Sequence, residues 1–263
     1  MTVEYSSAFL FSSDPKNGAV AVGTSGSQFS VQFNNPISIP AEAKSCTVEV
    51  QSSTIWNNSF NISAAIGNNV IQVIHDGVPL SPIIIPDGQF SLSALDSFLG
   101  RELIRLGLDS KSIKISGDSA TGKSVLSFMV GFQIDLTGSN LFRELLGFDM
   151  AIVPSNTSVA SYQYSDTPAQ FNRVNSYILA STLVSDGLQV NNGAGGILAA
   201  IPILAKSGSL SIYEPANPLR IDASELVGRP KQFLMFRLLD QNRREVSTNG
   251  EFYTFTVVIR YSK

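Results

Sequence analysis

Eight residues carry a catalytic pattern. Gly117-Asp118-Ser119-Ala120-Thr121-Gly122-Lys123-Ser124 satisfies G-x-x-x-x-G-K-S. In a nucleotide-hydrolysing enzyme the backbone N–H groups of such a loop cradle phosphates, Lys123 reaches the β- and γ-phosphates, and Ser124 holds magnesium. That chemistry needs a helix N-terminus pointing at the phosphates directly after the loop. The residues after Ser124 predict something else. Leu126, Phe128, Val130, Phe132, Ile134 and Leu136 are apolar at every second position, with Ser127, Gln133 and Asp135 between them. A period of two means a strand. Asp135, the candidate second acidic ligand, also comes too soon for a separate strand after an intervening helix. The eight residues therefore read as a Gly-rich hairpin turn, with nucleotide hydrolysis as the alternative.

Other constellations are poorer. His75 is the single histidine, and Asp76 is adjacent to it, badly placed to orient the ring for a Ser-His-Asp triad. Zinc needs three or four Cys or His ligands, and Cys46 with His75 makes two. Asp240 with Glu245, and Asp222 with Glu225, have the residue types of a glycosidase pair but fall in predicted turns. Trp56 beside Asn57 and Asn58 could stack on a sugar; a buried Trp at a strand end is the simpler expectation. This reading assigns no catalytic, cofactor-binding or metal residue and no cofactor.

The elements that must position these residues are mostly strands. Phe29, Val31 and Phe33 alternate before Asn34-Asn35-Pro36, and Cys46, Val48 and Val50 open a strand running toward Trp56. Further strands are expected at 70–74, 83–85, 111–116, 174–184, 197–204, 210–213, 231–239 and 251–261, with an edge strand near Tyr162 and Tyr164. Turns are expected at Ser185-Asp186-Gly187, over 191–196, at Lys206-Ser207-Gly208 and at Asn249-Gly250, the last a primed hairpin turn joining the final two strands. Leu92, Leu95, Leu99, Leu103 and Leu106 make one apolar helical stripe, capped by Ser93 with Asp96 and stopped by Gly107. A second short helix begins after Ser139 and stops at Gly147. Short strands separated by Gly, Pro and Asn turns predict a mainly β sandwich or jelly roll.

Composition excludes several classes. The chain of 263 residues is 43% hydrophobic but only 15% charged, below the roughly 25% of ordinary soluble domains. A surface so poor in charge suits a protein packed against neighbours. The net charge of -3, without a basic run, argues against direct nucleic-acid binding. No apolar run reaches the length of a membrane span, and Ala8 to Phe11 is too short for a signal-peptide core. Lone Cys46 excludes an intrachain disulfide and fits a reducing compartment. The sequons at Asn57, Asn61 and Asn156 read as coincidences of a Ser- and Asn-rich chain.

The order of elements resembles the single jelly-roll penton, or minor capsid, proteins of virophages, Polintons and polinton-like viruses. The stretch Phe29-Ser30-Val31-Gln32-Phe33-Asn34-Asn35-Pro36-Ile37 carries this resemblance, with Ile85-Pro86-Asp87-Gly88-Gln89-Phe90-Ser91 before a helix. Leu145-Leu146-Gly147-Phe148, Leu239-Asp240-Gln241 and Thr248-Asn249-Gly250-Glu251 extend it. The phosphate-loop pattern is no part of it. The resemblance implies a structural role without catalytic residues: a homopentamer closing the vertices of an icosahedral shell, assembled in the host cell interior and contacting major capsid protein capsomers in the virion. Residues 1–27 are expected to form a flexible arm, 28–66 with 149–263 an eight-stranded jelly roll, and 67–148 a small α+β insertion. Membrane contact by the arm is left open. The rivals are a compact double jelly-roll major capsid protein, a carbohydrate-binding attachment β-sandwich, and the nucleotide-hydrolysing enzyme using 117–124.

Overall fold

The computed structural model describes residues 3–171, 174–185, 196–206 and 208–263. The expected turns at Ser185-Asp186-Gly187, over 191–196 and at Lys206-Ser207-Gly208 lie wholly or partly outside these residues. In chain order come strands β1 (Glu4–Ser12), β2 (Val20–Val22), β3 (Gln28–Ile37), β4 (Ser45–Trp56), β5 (Val70–His75), β6 (Val78–Pro79) and β7 (Ile83–Ile84). Helix α1 (Leu92–Arg105) follows, then β8 (Ile113–Gly117), β9 (Lys123–Phe128), β10 (Phe132–Asp135) and helix α2 (Asn140–Leu146). The chain continues through β11 (Ile152–Val153), β12 (Ser161–Pro168), β13 (Ser176–Ser181), β14 (Ile197–Pro202) and β15 (Leu210–Tyr213). It ends with β16 (Ile221–Asp222), β17 (Lys231–Asp240) and β18 (Thr254–Ser262). These elements form two compact units, one of Met1–Ser59 with Val174–Lys263, the other of Phe60–Arg173.

The first unit is a sandwich of two five-stranded antiparallel sheets. One has the order β1-β18-β4-β15 with β16 also on β4; the other has the order β14-β13-β17-β3-β2. Period-two alternation sends one face of each strand inward. Phe255, Val257 and Ile259 of β18 and Cys46, Val48 and Val50 of β4 meet Phe29, Leu234, Phe236 and Leu238 of the other sheet. Phe236 sits at the centre, its ring centroid 4.5 Å from Phe11, 5.2 Å from Phe29 and 5.0 Å from Phe255. Tyr253 is buried with them and donates its hydroxyl to the Ser27 carbonyl at 2.7 Å.

Three expectations for this unit need correction. The expected flexible arm 1–27 is, over its described residues 3–27, not a loose arm: β1 pairs with β18 at all nine positions and buries Phe11. Its polar composition hid it because an edge strand needs only one apolar side to join a sheet. The last two strands do not form a hairpin with each other. Asn249 and Gly250 do take positive φ, 51° and 83°, and Glu251 N–H bonds the Thr248 carbonyl at 3.0 Å. Yet β17 lies between β13 and β3, and β18 lies between β1 and β4. The turn's chemistry is local, whereas the partner of each strand is decided by the core. Trp56 is 39% exposed rather than buried, because it falls on the outward side of β4.

The second unit packs α1 and α2 with two small sheets, β11-β10-β5-β6 with β7 on β5, and β12-β9-β8. Leu95, Leu99 and Leu103 of the predicted stripe are fully buried beside Ile71, Val73, Ile113, Ile115, Leu126 and Phe128. The N-cap is Ser91, whose hydroxyl accepts from Ala94 N–H at 3.2 Å, two residues before the predicted Ser93. Asp96 serves the β8 edge instead, accepting from Ile115 N–H at 2.8 Å and Lys114 Nζ at 2.6 Å. The alternating run after Ser124 is two strands in different sheets, β9 and β10, separated at Met129–Gly131. The expected boundaries of 67–148 fall short at both ends. Ile62 belongs to this unit's core, and Asn61 bonds the Phe90 and Phe171 carbonyls at 2.7 and 3.1 Å. The strand carrying Tyr162 and Tyr164 is β12, which pairs with β9 and not with the sandwich.

Cys46 gives the sandwich a pH limit. Burial, aided by the nearby Asp222 charge, pushes its thiol up to about 11 from 9.0. Between those values the unfolded chain has released the thiol proton and the folded chain keeps it. Stability contributed below pH 9 is therefore lost as pH rises toward 11. Tyr177 and Tyr253, whose phenols burial also pushes up, act in the same direction. Denaturant titrations at pH 8 and 10.5 are expected to show a loss that is smaller in Cys46→Ala, the difference approaching about 2 kcal/mol.

Candidate functional site

The phosphate-loop pattern is a closed hairpin turn. β8 and β9 pair from Ile113 opposite Phe128 to Gly117 opposite Ser124, so strand flanks the loop on both sides. Several of the loop's donors are already engaged within the turn. Asp118 accepts from Ala120 N–H at 3.0 Å and Thr121 Oγ1 at 2.6 Å, and Gly122 N–H bonds the Asp118 carbonyl at 2.8 Å. The Thr121 hydroxyl, then the Ala120 N–H, hold the Asp118 carboxyl below the usual carboxylate range. That fixes a negative charge where a phosphate would sit. Ser124 is fully buried; its N–H donates to Ser165 Oγ at 3.0 Å and its hydroxyl to the Leu146 carbonyl. A magnesium ligand cannot be spent on a buried carbonyl. Lys123→Ala is expected to change stability by no more than about 0.5 kcal/mol. ATP with magnesium should shift the melting temperature of neither parent nor variant, as scanning fluorimetry would show.

The other candidates also have partners within the fold. His75 ends β5 and stacks on Phe132 at 4.2 Å, with Asp76 Oδ2 3.6 Å from its Nε2. Asp222 accepts from Ser224, Glu225 from Ser185, Asp240 from the N–H groups of Asn242 and Arg244, and Glu245 from Gln28. The Asn57 and Asn61 amides are buried against backbone carbonyls, which leaves two of the three sequons closed to modification. Among the described residues no three or more His, Cys, Asp or Glu side chains gather as a metal site would require.

What the sandwich offers is a surface: the outward face of β1-β18-β4-β15. Its register places Leu10 beside Thr256 and Ser52, Ser12 beside Thr254, Thr54 and Ile212, and Trp56 beside Leu210. These positions carry no charge, and Leu10 and Ile212 are 74% and 63% exposed. The opposite end of the same face is ionic. Buried Glu49 accepts from Arg260 Nη2 at 2.9 Å and Arg220 Nε at 3.3 Å, and Arg220 Nη1 lies 3.8 Å from Glu4. The hydrogen bond that Arg260 donates to Glu49 holds its guanidinium above its ordinary pKa. A hollow of about 330 Å³ opens there between Glu4, Thr47, Arg220, Arg260 and Tyr261. Sequence reasoning missed this face. Its signal was present in Thr254, Thr256 and Ser52, which alternate with core residues where a solvated strand would carry charge.

No family model matches the chain, and no curated protein does. Solved structures do match. The crystal structure of SeMet-labelled mavirus penton protein covers 99% of this chain and 99% of its own, with a TM-score of 0.50 and 6% identity. The cryo-EM structure of the Sputnik virophage includes a chain matching 98% of this one and 97% of its own, with a TM-score of 0.43 and 14% identity. The chain thus has, over its full length, the mainly β jelly-roll fold of the mavirus penton protein.

Proposed function

We propose that this chain is a structural capsid protein, a penton whose five copies close a vertex of an icosahedral viral shell. The observation that carries the reading is the full-length match to the mavirus penton protein, which takes in both compact units rather than the sandwich alone. On this reading Met1–Ser59 with Val174–Lys263 is the jelly roll and Phe60–Arg173 its α+β insertion. The protein works in the virion capsid after assembly in the host cell, beside major capsid capsomers, without catalysis.

The uncharged outward face fits contact with a neighbouring copy. Ser and Thr hydroxyls with a few large apolar side chains can be desolvated at lower cost than charges. Negative-stain images or mass photometry should show rings of five at micromolar concentration. Ile212→Asp should leave the melting temperature unchanged and block the ring. Monomers alone at such concentrations would remove the proposal; rings formed equally well by Ile212→Asp would move the contact to another face. The exposed indole of Trp56 favours a second reading, attachment to glycans, which a glycan array tests directly.

A further inference from the structure

The sandwich unit ends in a strand edge that has no partner among the described residues. β1 is the last strand of its sheet and pairs on one side only, with β18. At its two ends Lys263 N–H donates to the Val3 carbonyl at 3.1 Å, and Ser13 N–H to the Tyr253 carbonyl at 3.0 Å. The register between them is unbroken. The odd-numbered residues of β1 therefore bond β18, and the N–H and C=O groups of Ser6, Ala8 and Leu10 point away from it. Among the described residues nothing bonds these groups. Long edges are usually blunted by proline, lysine, a bulge or shortness. β1 has nine residues with no proline, no basic residue and no bulge, and its one charge is Glu4 at the end. The other sheet blunts its edges: β14 pairs through a register shift and ends at Pro202, and β2 has three residues.

We propose that the β1 edge receives β15 from a second copy of the chain, which joins the sheets of neighbouring copies; the inference rests on the five-copy ring proposed above. Donors and acceptors repeating about every 7 Å along an extended edge are matched by the backbone of another strand. A ring needs two different surfaces that meet head to tail, whereas β1 against β1 would close at two copies. β15 is the other end of the same sheet. Asn57 N–H donates to the Ser209 carbonyl at 2.9 Å, so by the same alternation Leu210 and Ile212 turn their backbone groups away from β4. Every pairing in β1-β18-β4-β15 is antiparallel, so β1 and β15 run in opposite directions. A rotation about an axis along the strands keeps these directions and lays β15 of the next copy antiparallel to β1. Heights are kept as well. Ser12, Thr254, Thr54 and Ile212 stand in one row across the sheet, so Ile212 of the next copy arrives beside Ser12 and one strand-step from Leu10. The exposed Leu10 and Ile212 side chains, on the same face, then cover each other. No residue of Tyr5–Ser12 or Leu210–Tyr213 is charged, so no ion loses its water.

The test is disulfide trapping in assembled rings of the full chain. Within one copy β1 and β15 are three strand spacings apart, about 14 Å, beyond the reach of a disulfide. A bond between positions 12 and 212 therefore joins two copies. Mild oxidation of Ser12→Cys, Ile212→Cys rings is expected to give a non-reducing ladder that ends at five chains, while Cys46 stays buried. Strand tilt around a ring shifts pairing by two residues, so Leu10→Cys, Ile212→Cys is run beside it, and a ladder from either pair supports the contact. Each single variant should stay a single band. Rings seen by mass photometry that give no ladder from either pair would overturn the edge contact and leave the pentamer standing. Covalent dimers from Ala8→Cys alone would also overturn it, because they place β1 against β1. A parent that forms no rings removes the pentamer itself and this contact with it.

Discussion

Replacing Gly147 by alanine is expected to destabilise the Phe60–Arg173 unit by about 3 kcal/mol or more. Gly147 ends α2 at φ 81°, with its N–H bonded to the Arg143 carbonyl at 2.9 Å. An added Cβ would meet the Thr167 carbonyl oxygen far inside van der Waals contact and its carbonyl carbon at 3.0 Å. Both are backbone atoms of β12, which cannot rotate away as a side chain can. Thr167 N–H also bonds the Gly147 carbonyl at 3.0 Å, so moving the strand breaks a bond as well. Gly107, at φ 79° with open space around its Cβ, is the control. Gly107→Ala carries only the left-handed backbone penalty of about 1 kcal/mol. Chemical denaturation should separate the two variants by about 2 kcal/mol. Equal losses would show that Thr167 yields more easily than its pairing suggests.

Deleting residues 1–12 is expected to leave the sandwich insoluble or unfolded. The deletion strips one of the two partner ladders from β18, leaving only β4 beside it, removes the Tyr5 ring stacked 5.2 Å from Tyr261, and takes Phe11 out of the aromatic centre. Losing one buried Phe side chain alone costs about 3–5 kcal/mol, much of the 5–15 kcal/mol that holds a domain folded. The bared edge of β18 would then be a template for another chain. Soluble yield and near-ultraviolet circular dichroism of the truncated chain check this. A truncated protein as soluble and as cooperative in melting as the parent would return 1–12 to the status of a dispensable arm.

What the residues determine alone are features whose physics is local. The leucine stripe of α1, the left-handed stops at Gly107 and Gly147, the positive φ of Asn249 and Gly250 and the alternation of β18 all follow from periods and backbone preferences within a few residues. Tertiary structure decided whatever depends on a partner. Asn249-Gly250 makes its turn in any context, but only the core sends β17 and β18 to different sheets. Glu4–Ser12 has one short apolar side among serines, so only the waiting edge of β18 makes it a strand. Val130 keeps the period of its neighbours and yet is exposed, because the chain changes sheets at Met129–Gly131. The pattern Gly117–Ser124 shows the limit most directly. Its residue types permit a phosphate loop, but the strand pairing of β8 with β9 gives its donors to Asp118 and its serine to the Leu146 carbonyl.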